Sequence, residues 1–285
     1  MERKLWQRLY AAVWATHHPR PPRGVSHPDQ WVVLVYGWAV LHDRPTVWAC
    51  RRGHWPPDLA PARLPSQPTM SRRLRSAGVN ALLNALLRRH RGDPRADWVK
   101  YLDGKPLAVG GLSKDPDARD GYGAGGYFRG YKLHAAYGRG PGPLAWEVRP
   151  ANQAEPTAAR VLVNRLGGGG YLVGDAGYDS NPLADQAGRR GHQLVAPPKR
   201  AAGAGRGHHP QSPFRLRGLA LLGTAFGRAL YRSRAAVERR FGRLTAAGLG
   251  ALPPWVRRLH RVKRWAQMKL LIVALKDVHP PPLAA

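Results

Sequence analysis

Apolar residues return at helical spacing near the start of the chain. Leu5, Trp6, Leu9, Tyr10 and Val13 predict a helix, and a second apolar segment runs from Trp31 to Leu41. Proline-rich connections separate these segments. The stretch PSQPTMSRRLRSAGVNALLNALLRRHRG opens with Ser and Thr cap candidates and carries Leu82, Leu83, Leu86 and Leu87 on one side, so it predicts further helix. From Trp98 the period changes. WVKYLDGKPLAVGG, GGYFRGYKLHAAYG and GPLAWEVRPA read as strands, and a helix over 155–166 is ended by the glycines 167–170. YLVGDAGYD then reads as strand, NPLADQAGRR as helix and HQLVAPP as strand. This order predicts an α/β sheet of mixed direction after an all-α N-terminal region. The basic, Gly-rich KRAAGAGRGHHPQSPFRLRG is expected to be a loop. Helical segments over 219–247 and 255–278 complete the chain.

Charge adds a partner to this outline. Lys and Arg number 46 against 17 Asp and Glu among 285 residues, a formal net charge of +29. Such an excess attracts a polyanion, with nucleic acid as the default. A GC-rich genome also enriches Arg, Ala, Gly and Pro, but base composition alone does not exclude acids. Cys50 is the single cysteine, so no disulfide framework or Cys-based zinc site is expected. The apolar stretches WVVLVYGWAVL and LLIVAL are far shorter than the roughly 20 residues that span a bilayer. No membrane association is expected, and a cytoplasmic, nucleoid-associated location is.

Several motifs admit bland readings. GYGAGG matches a dinucleotide-binding string but precedes a strand, so a loop is the better reading. The pairs His17–His18 and His208–His209 lack a second ligand pair and read as exposed. TVWACRR followed by the Ser-rich helix start has the outline of a helix-turn-helix, with Gln67 to Arg75, and hence Arg72, Arg73 and Arg75, near its recognition helix. An ordinary Arg-rich helix start explains the same residues equally well.

Three acids stand out. Asp103 and Asp175 each end a hydrophobic strand, where a lone carboxylate is costly unless paired or metal-bound. Glu238 lies in YRSRAAVERRFGRL, where Tyr231, Arg234 and Glu238 fall at i, i+3 and i+7 on one helix face. Carboxylates suit hard divalent cations, and two such ions roughly 3.5–4 Å apart promote phosphodiester displacement. By spacing alone, an Asp-Gly turn at Asp103 and pairing of Glu238 with nearby arginines compete with this reading.

YLDGKPLAV, SKDPDARDGYG, GYKLHAAYG, GDAGYDS and YRSRAAVERRFGRL, in this order from 98 to about 248, together resemble the DDE transposases of bacterial insertion sequences. The resemblance implies a ribonuclease-H-like catalytic domain with Asp103, Asp175 and Glu238 as catalytic and metal-binding triad. Two Mg²⁺ (or Mn²⁺) ions are implied as cofactors. Tyr231 and Arg234 match the motif around the glutamate and are implied as DNA contacts. That motif usually carries a Lys seven positions after the Glu, where Thr245 stands, so Arg239 or Arg243 is the expected substitute. The short interval between Asp175 and Glu238 leaves no room for the large β-rich insertion of some members.

The expected organisation is a helical region over 1–95, a catalytic domain over 96–250 and a C-terminal helical segment over 251–285 packing on it. The expected function is cleavage at the ends of an insertion sequence and joining of the 3′-hydroxyl ends to target DNA. The expected partners are double-stranded DNA, as terminal inverted repeats and target, and a second copy of the chain. The alternatives are a transposase-derived DNA-binding protein without catalysis and a metal-dependent structure-specific nuclease.

Overall fold

The computed structural model describes residues 2–19, 24–123, 125–199 and 210–277, which group into two compact units. One comprises the chain up to Arg91 together with the residues from Arg264 onward; the other runs from Gly92 to Lys263. The expected C-terminal segment 251–285 is therefore divided at 263/264, and helix Leu259–Asp277 supplies residues to both units.

In the first unit the predicted helices appear as α1 (Glu2–Ala15) and α2 (Asp29–Leu41). Every residue of α2 from Val32 to Val40 is buried, as a helix that is apolar all round must be. Trp6, Trp38 and Trp55 pack with ring centroids about 5 Å apart. The short α3 (Thr46–Ala49) is followed by α4 (Gln67–Arg73) and α5 (Ala77–Arg89). Ser66 and Ser76 cap the last two, their hydroxyls accepting from the backbone N–H of Thr69 and Val79. The cap at Ser76 starts a second helix where the sequence pattern suggested one continuous stretch.

The second unit holds a six-stranded sheet: β1 (Val99–Ala108), β2 (Arg119–Gly123), β3 (Gly126–Tyr137), β4 (Ala145–Pro150), β5 (Gly170–Val173) and β6 (His192–Val195). One edge of β3 pairs antiparallel with β1; its other edge is shared, first by β2 and then by β4. β5 pairs parallel with β1, and β6 parallel with β5. This is the expected ribonuclease-H-like mixed sheet. Of GYGAGG, expected as a loop, Gly121 to Gly123 belong to β2 and Gly126 opens β3. The string carries no dinucleotide-type turn into a helix.

Helices α6 (Glu155–Arg165) and α7 (Asn181–Arg189) cover one sheet face, where Leu102, Leu172 and Leu194 meet Leu162, Val163, Leu183 and Ala187. On the opposite face Tyr101, Val173 and Val195 pack against Leu221, Leu230 and Tyr231. The helical stretch expected over 219–247 is three helices: α8 (Pro213–Leu222), α9 (Ala225–Arg232) and α10 (Ala235–Ala246). Local side-chain bonds break it. Thr224 Oγ1 accepts from Gly227 N–H to start α9, and the Ser233 hydroxyl donates to the Leu230 carbonyl at its end. The last helix, α11 (Leu259–Asp277), begins after Pro253 and Pro254, four residues later than the pattern suggested. None of the described helices is long and apolar enough to cross a membrane.

Candidate active site

Parallel pairing explains why two acids meet. Tyr101 of β1 and Val173 of β5 are register partners whose side chains point to the same face. Two positions further along each strand, past the ends of this pairing, stand Asp103 and Asp175. Asp175 follows the end of β5, whereas β1 runs on to Ala108, so Asp103 lies inside its strand and does not end it as the sequence pattern suggested. The alternation of side chains still turns Asp103 to the face of Tyr101. Each is then oriented by a backbone N–H: Gly104 donates to Asp103 Oδ1 and Gly177 to Asp175 Oδ1, both at 2.8 Å. The second bond caps the single 3₁₀ turn Ala176–Tyr178, which turns the chain away directly after Asp175.

Burial pushes the Asp103 carboxyl up to about 6. The Gly104 N–H and the Arg234 guanidinium oppose the rise, whereas the negative charges of Asp175 and Glu155 add to it. Asp103 thus carries a charge that the protein alone compensates incompletely.

The third expected acid arrives through an arginine. Arg234 Nη2 donates to Glu238 Oε1 at 2.8 Å, while Nη1 stands 3.9 Å from Asp103 Oδ2. Tyr231, Arg234 and Glu238 do not share one continuous helix: Tyr231 belongs to α9, Arg234 is the N-cap of α10 and Glu238 lies in its first turn. The junction is held to the sheet by the Tyr101 hydroxyl, 2.9 Å from Ser233 Oγ. Glu238 is more than half exposed. The pairing of Glu238 with an arginine is thus realised, with that arginine next to Asp103.

Thr245, at the position of the usual Lys, accepts a 2.6 Å hydrogen bond from Lys105 Nζ of β1. Lys105 of the strand thus stands at Thr245, a neighbour that sequence spacing did not suggest. Arg239 and Arg243 lie on the exposed side of α10, and Tyr231 is half-buried against the sheet. In the other unit, Arg72 and Arg75 are exposed at the end of α4 and in its connection to α5, while Arg73 is bonded to Asp29 at 2.7 Å. These residues lie at the end of α4 and just after it, with the one-turn α3 (Thr46–Ala49) as the helix that precedes them in the expected pair. His18, read as exposed, is largely buried with Nε2 2.8 Å from Asp29 Oδ2. His208 and His209, and most of the basic loop before them, lie outside the described residues.

The residues test unevenly against divalent metal. Asp103 and Asp175 fit: hard oxygen donors on neighbouring strands, each partly buried and oriented by a backbone N–H. Glu238 as placed is engaged by Arg234, and among the described residues no three His, Cys, Asp or Glu side chains stand close enough to hold an ion. Glu155 is the acid that the sequence reading missed. Its only sequence signal was a place at the start of a helix, which the helix dipole explains by itself.

No curated protein and no solved structure matches the chain significantly. The family model of the transposase DDE domain matches residues 94–275, which include Asp103, Asp175 and Glu238. With well over half of its length matched, the chain belongs to the DDE transposase family.

Proposed function

We propose that the protein cuts DNA at the ends of an insertion sequence and joins the freed 3′-hydroxyl ends to target DNA, acting as a homodimer on its DNA. One observation carries this reading: Asp103 and Asp175 follow the paired segments of two adjacent parallel strands, and Arg234 bonds Glu238 while standing 3.9 Å from Asp103. Asp103 and Asp175 would hold two Mg²⁺ (or Mn²⁺) ions, with Glu238 joining them once Arg234 is drawn to phosphate. Ions so held activate an attacking water or hydroxyl and stabilise the leaving oxygen. Arg234 suits the exchange, because its planar fork matches phosphate as well as carboxylate. Lys105, Arg239 and Arg243 would add positive charge toward the DNA, with Tyr231 and Arg234 gripping phosphate near the scissile bond.

The test replaces each acid by its amide. Asp103→Asn, Asp175→Asn and Glu238→Gln should each lower cleavage of terminal-repeat DNA by several orders of magnitude, with DNA affinity kept or increased. Double variants should be little worse than single ones, since residues acting as a unit are non-additive. Wild-type cleavage rates in Glu238→Gln would remove Glu238 from the site. A second reading, a DNA-binding protein without catalysis, is favoured by the Glu238–Arg234 pair and by Thr245. It takes over if wild type never cleaves correct ends in Mg²⁺ or Mn²⁺.

A further inference from the structure

Glu155 opens α6 and pairs with Lys132 at 3.2 Å. A helix N-terminus and a lysine are enough to explain a carboxylate there. They do not explain where its two oxygens lie. Oε1 is 3.6 Å from the point where a Cβ on Gly104, the residue after Asp103, would stand. Oε2 crowds the corresponding point above Gly177, which Asp175 Oδ1 approaches to 2.9 Å. Glu155 therefore meets Asp175 at Gly177 and reaches Gly104, the residue after Asp103, from the sheet face that α6 covers, close enough for its charge to act on Asp103.

Two buried polar groups at this place have no hydrogen-bond partner. The His134 ring is fully buried with both nitrogens unbonded, and Nδ1 lies 3.4 Å from the same point above Gly104. The Tyr178 hydroxyl is also fully buried and unbonded. Burial raises its pKa well above the ordinary value, and the negative charges of Glu155, Asp103 and Asp175 add to the rise. A buried donor without an acceptor costs about 1–3 kcal/mol, and native cores rarely leave one. Two such groups near Glu155 indicate a polar ligand received beside it.

Resting on the divalent-cation reading above, we propose that Glu155 is a positioning residue of the cation site. Its carboxylate accepts hydrogen bonds from the water shell of the cation held by Asp103 and Asp175, and the Tyr178 hydroxyl faces the same shell. Mg²⁺ gives up its waters reluctantly and is usually held by only one or two carboxylates, so an acid acting through water suits it. This arrangement also agrees with the absence of a direct three-acid cage among the described residues. Lys132 holds Glu155 ready and limits charge repulsion among the acids while no cation is bound.

The experiment titrates the full chain with Mn²⁺ alone by calorimetry, and records thermal unfolding without metal. Wild type should bind Mn²⁺, and Asp103→Asn should abolish binding. Glu155→Gln should weaken it by about 10–100-fold, the usual cost of losing a group that orients a metal's ligands. Lys132→Gln should leave affinity unchanged or raise it, because Glu155 is released. A Glu155 that merely pairs with Lys132 would give both variants a lowered Tm and unaltered Mn²⁺ affinity, which overturns the proposal. If Asp103→Asn abolishes binding while Glu155→Gln does not weaken it, this inference fails and the function stands. No Mn²⁺ binding by wild type overturns both. Should Glu155→Gln not fold, Glu155→Asp decides: a measurably weakened affinity supports the role, and wild-type affinity removes it.

Discussion

At the scale of single residues, burial of groups that can ionise sets the behaviour. His192 is only 2 % exposed, and burial, helped by Lys100, lowers its pKa to about 4. The sign follows from which state takes the proton. The unfolded ring protonates below about 6.5 and the folded ring does not, so the neutral form's stability is full above pH 6.5 and is lost as pH falls toward 4. The shift corresponds to roughly 3 kcal/mol. His192→Leu should accordingly narrow its Tm deficit, or reverse it, between pH 7 and 4; a Tm difference from wild type that stays constant over that range refutes the assignment. Gly177 makes a separate case. A methyl group there meets Glu155 Oε2 and Asp175 Oδ1, both at the ends of side chains that can move. Gly177→Ala should therefore cost little stability yet depress DNA cleavage strongly, because two acids of the site are displaced. Loss of fold with no specific effect on a surviving fraction's cleavage would show that the glycine serves the turn alone.

At the scale of elements, the site depends on how its loops are pinned to the helices behind them. Asp179 ends the turn that carries Asp175, and both its oxygens are bonded by Arg215 of α8, at 2.6 and 2.7 Å. Burial would raise the Asp179 pKa, but Arg215 and the Lys199 N–H more than offset this and hold it below the usual carboxylate range. A depressed carboxylate gives stability that is present above its unfolded value and lost as pH falls through the folded one. Asp179→Asn leaves Arg215 without its charge partner in a mostly buried place and should destabilise by about 3 kcal/mol at pH 7. That penalty should shrink in strong acid, where wild type is protonated as well; equal Tm values for variant and wild type at pH 7 would contradict it. The second carboxylate of GDAGYDS is thus a structural tie, beside a first one that faces the site.

At the scale of the whole molecule, a net charge of +29 should make DNA binding strongly salt-dependent through counterion release. Affinity should fall by orders of magnitude between roughly 50 and 200 mM salt. A flat anisotropy titration over that range would sink the idea that the charge serves DNA. The structure also separates three neighbouring arginines. Arg72 and Arg75 are exposed, so replacing both by Ala should weaken binding and reduce the salt slope. Arg73 holds Asp29, so Arg73→Ala should lower Tm more than it lowers affinity. A loss of affinity from Arg73→Ala with unchanged Tm would reverse that division.

Hydrophobic periodicity by itself determined most elements, the mixed sheet and the acid that follows β5, because a strand's alternation and its polar ending are written in consecutive residues, whereas β1 continues past Asp103 to Ala108. YLVGD carries both within five positions. Consecutive residues could not show that Thr224 and Ser233 divide one helical stretch into three, since Ser and Thr are tolerated within helices and break them only where their hydroxyls take over backbone bonds. They could not show Lys105 at Thr245, or Glu155 and Tyr178 beside Asp103 and Asp175, because those neighbours come from strands, turns and helices far apart in the chain. Periodicity fixes which face a side chain takes. Which charges then share that face is decided only when parallel pairing and helix packing bring distant segments together.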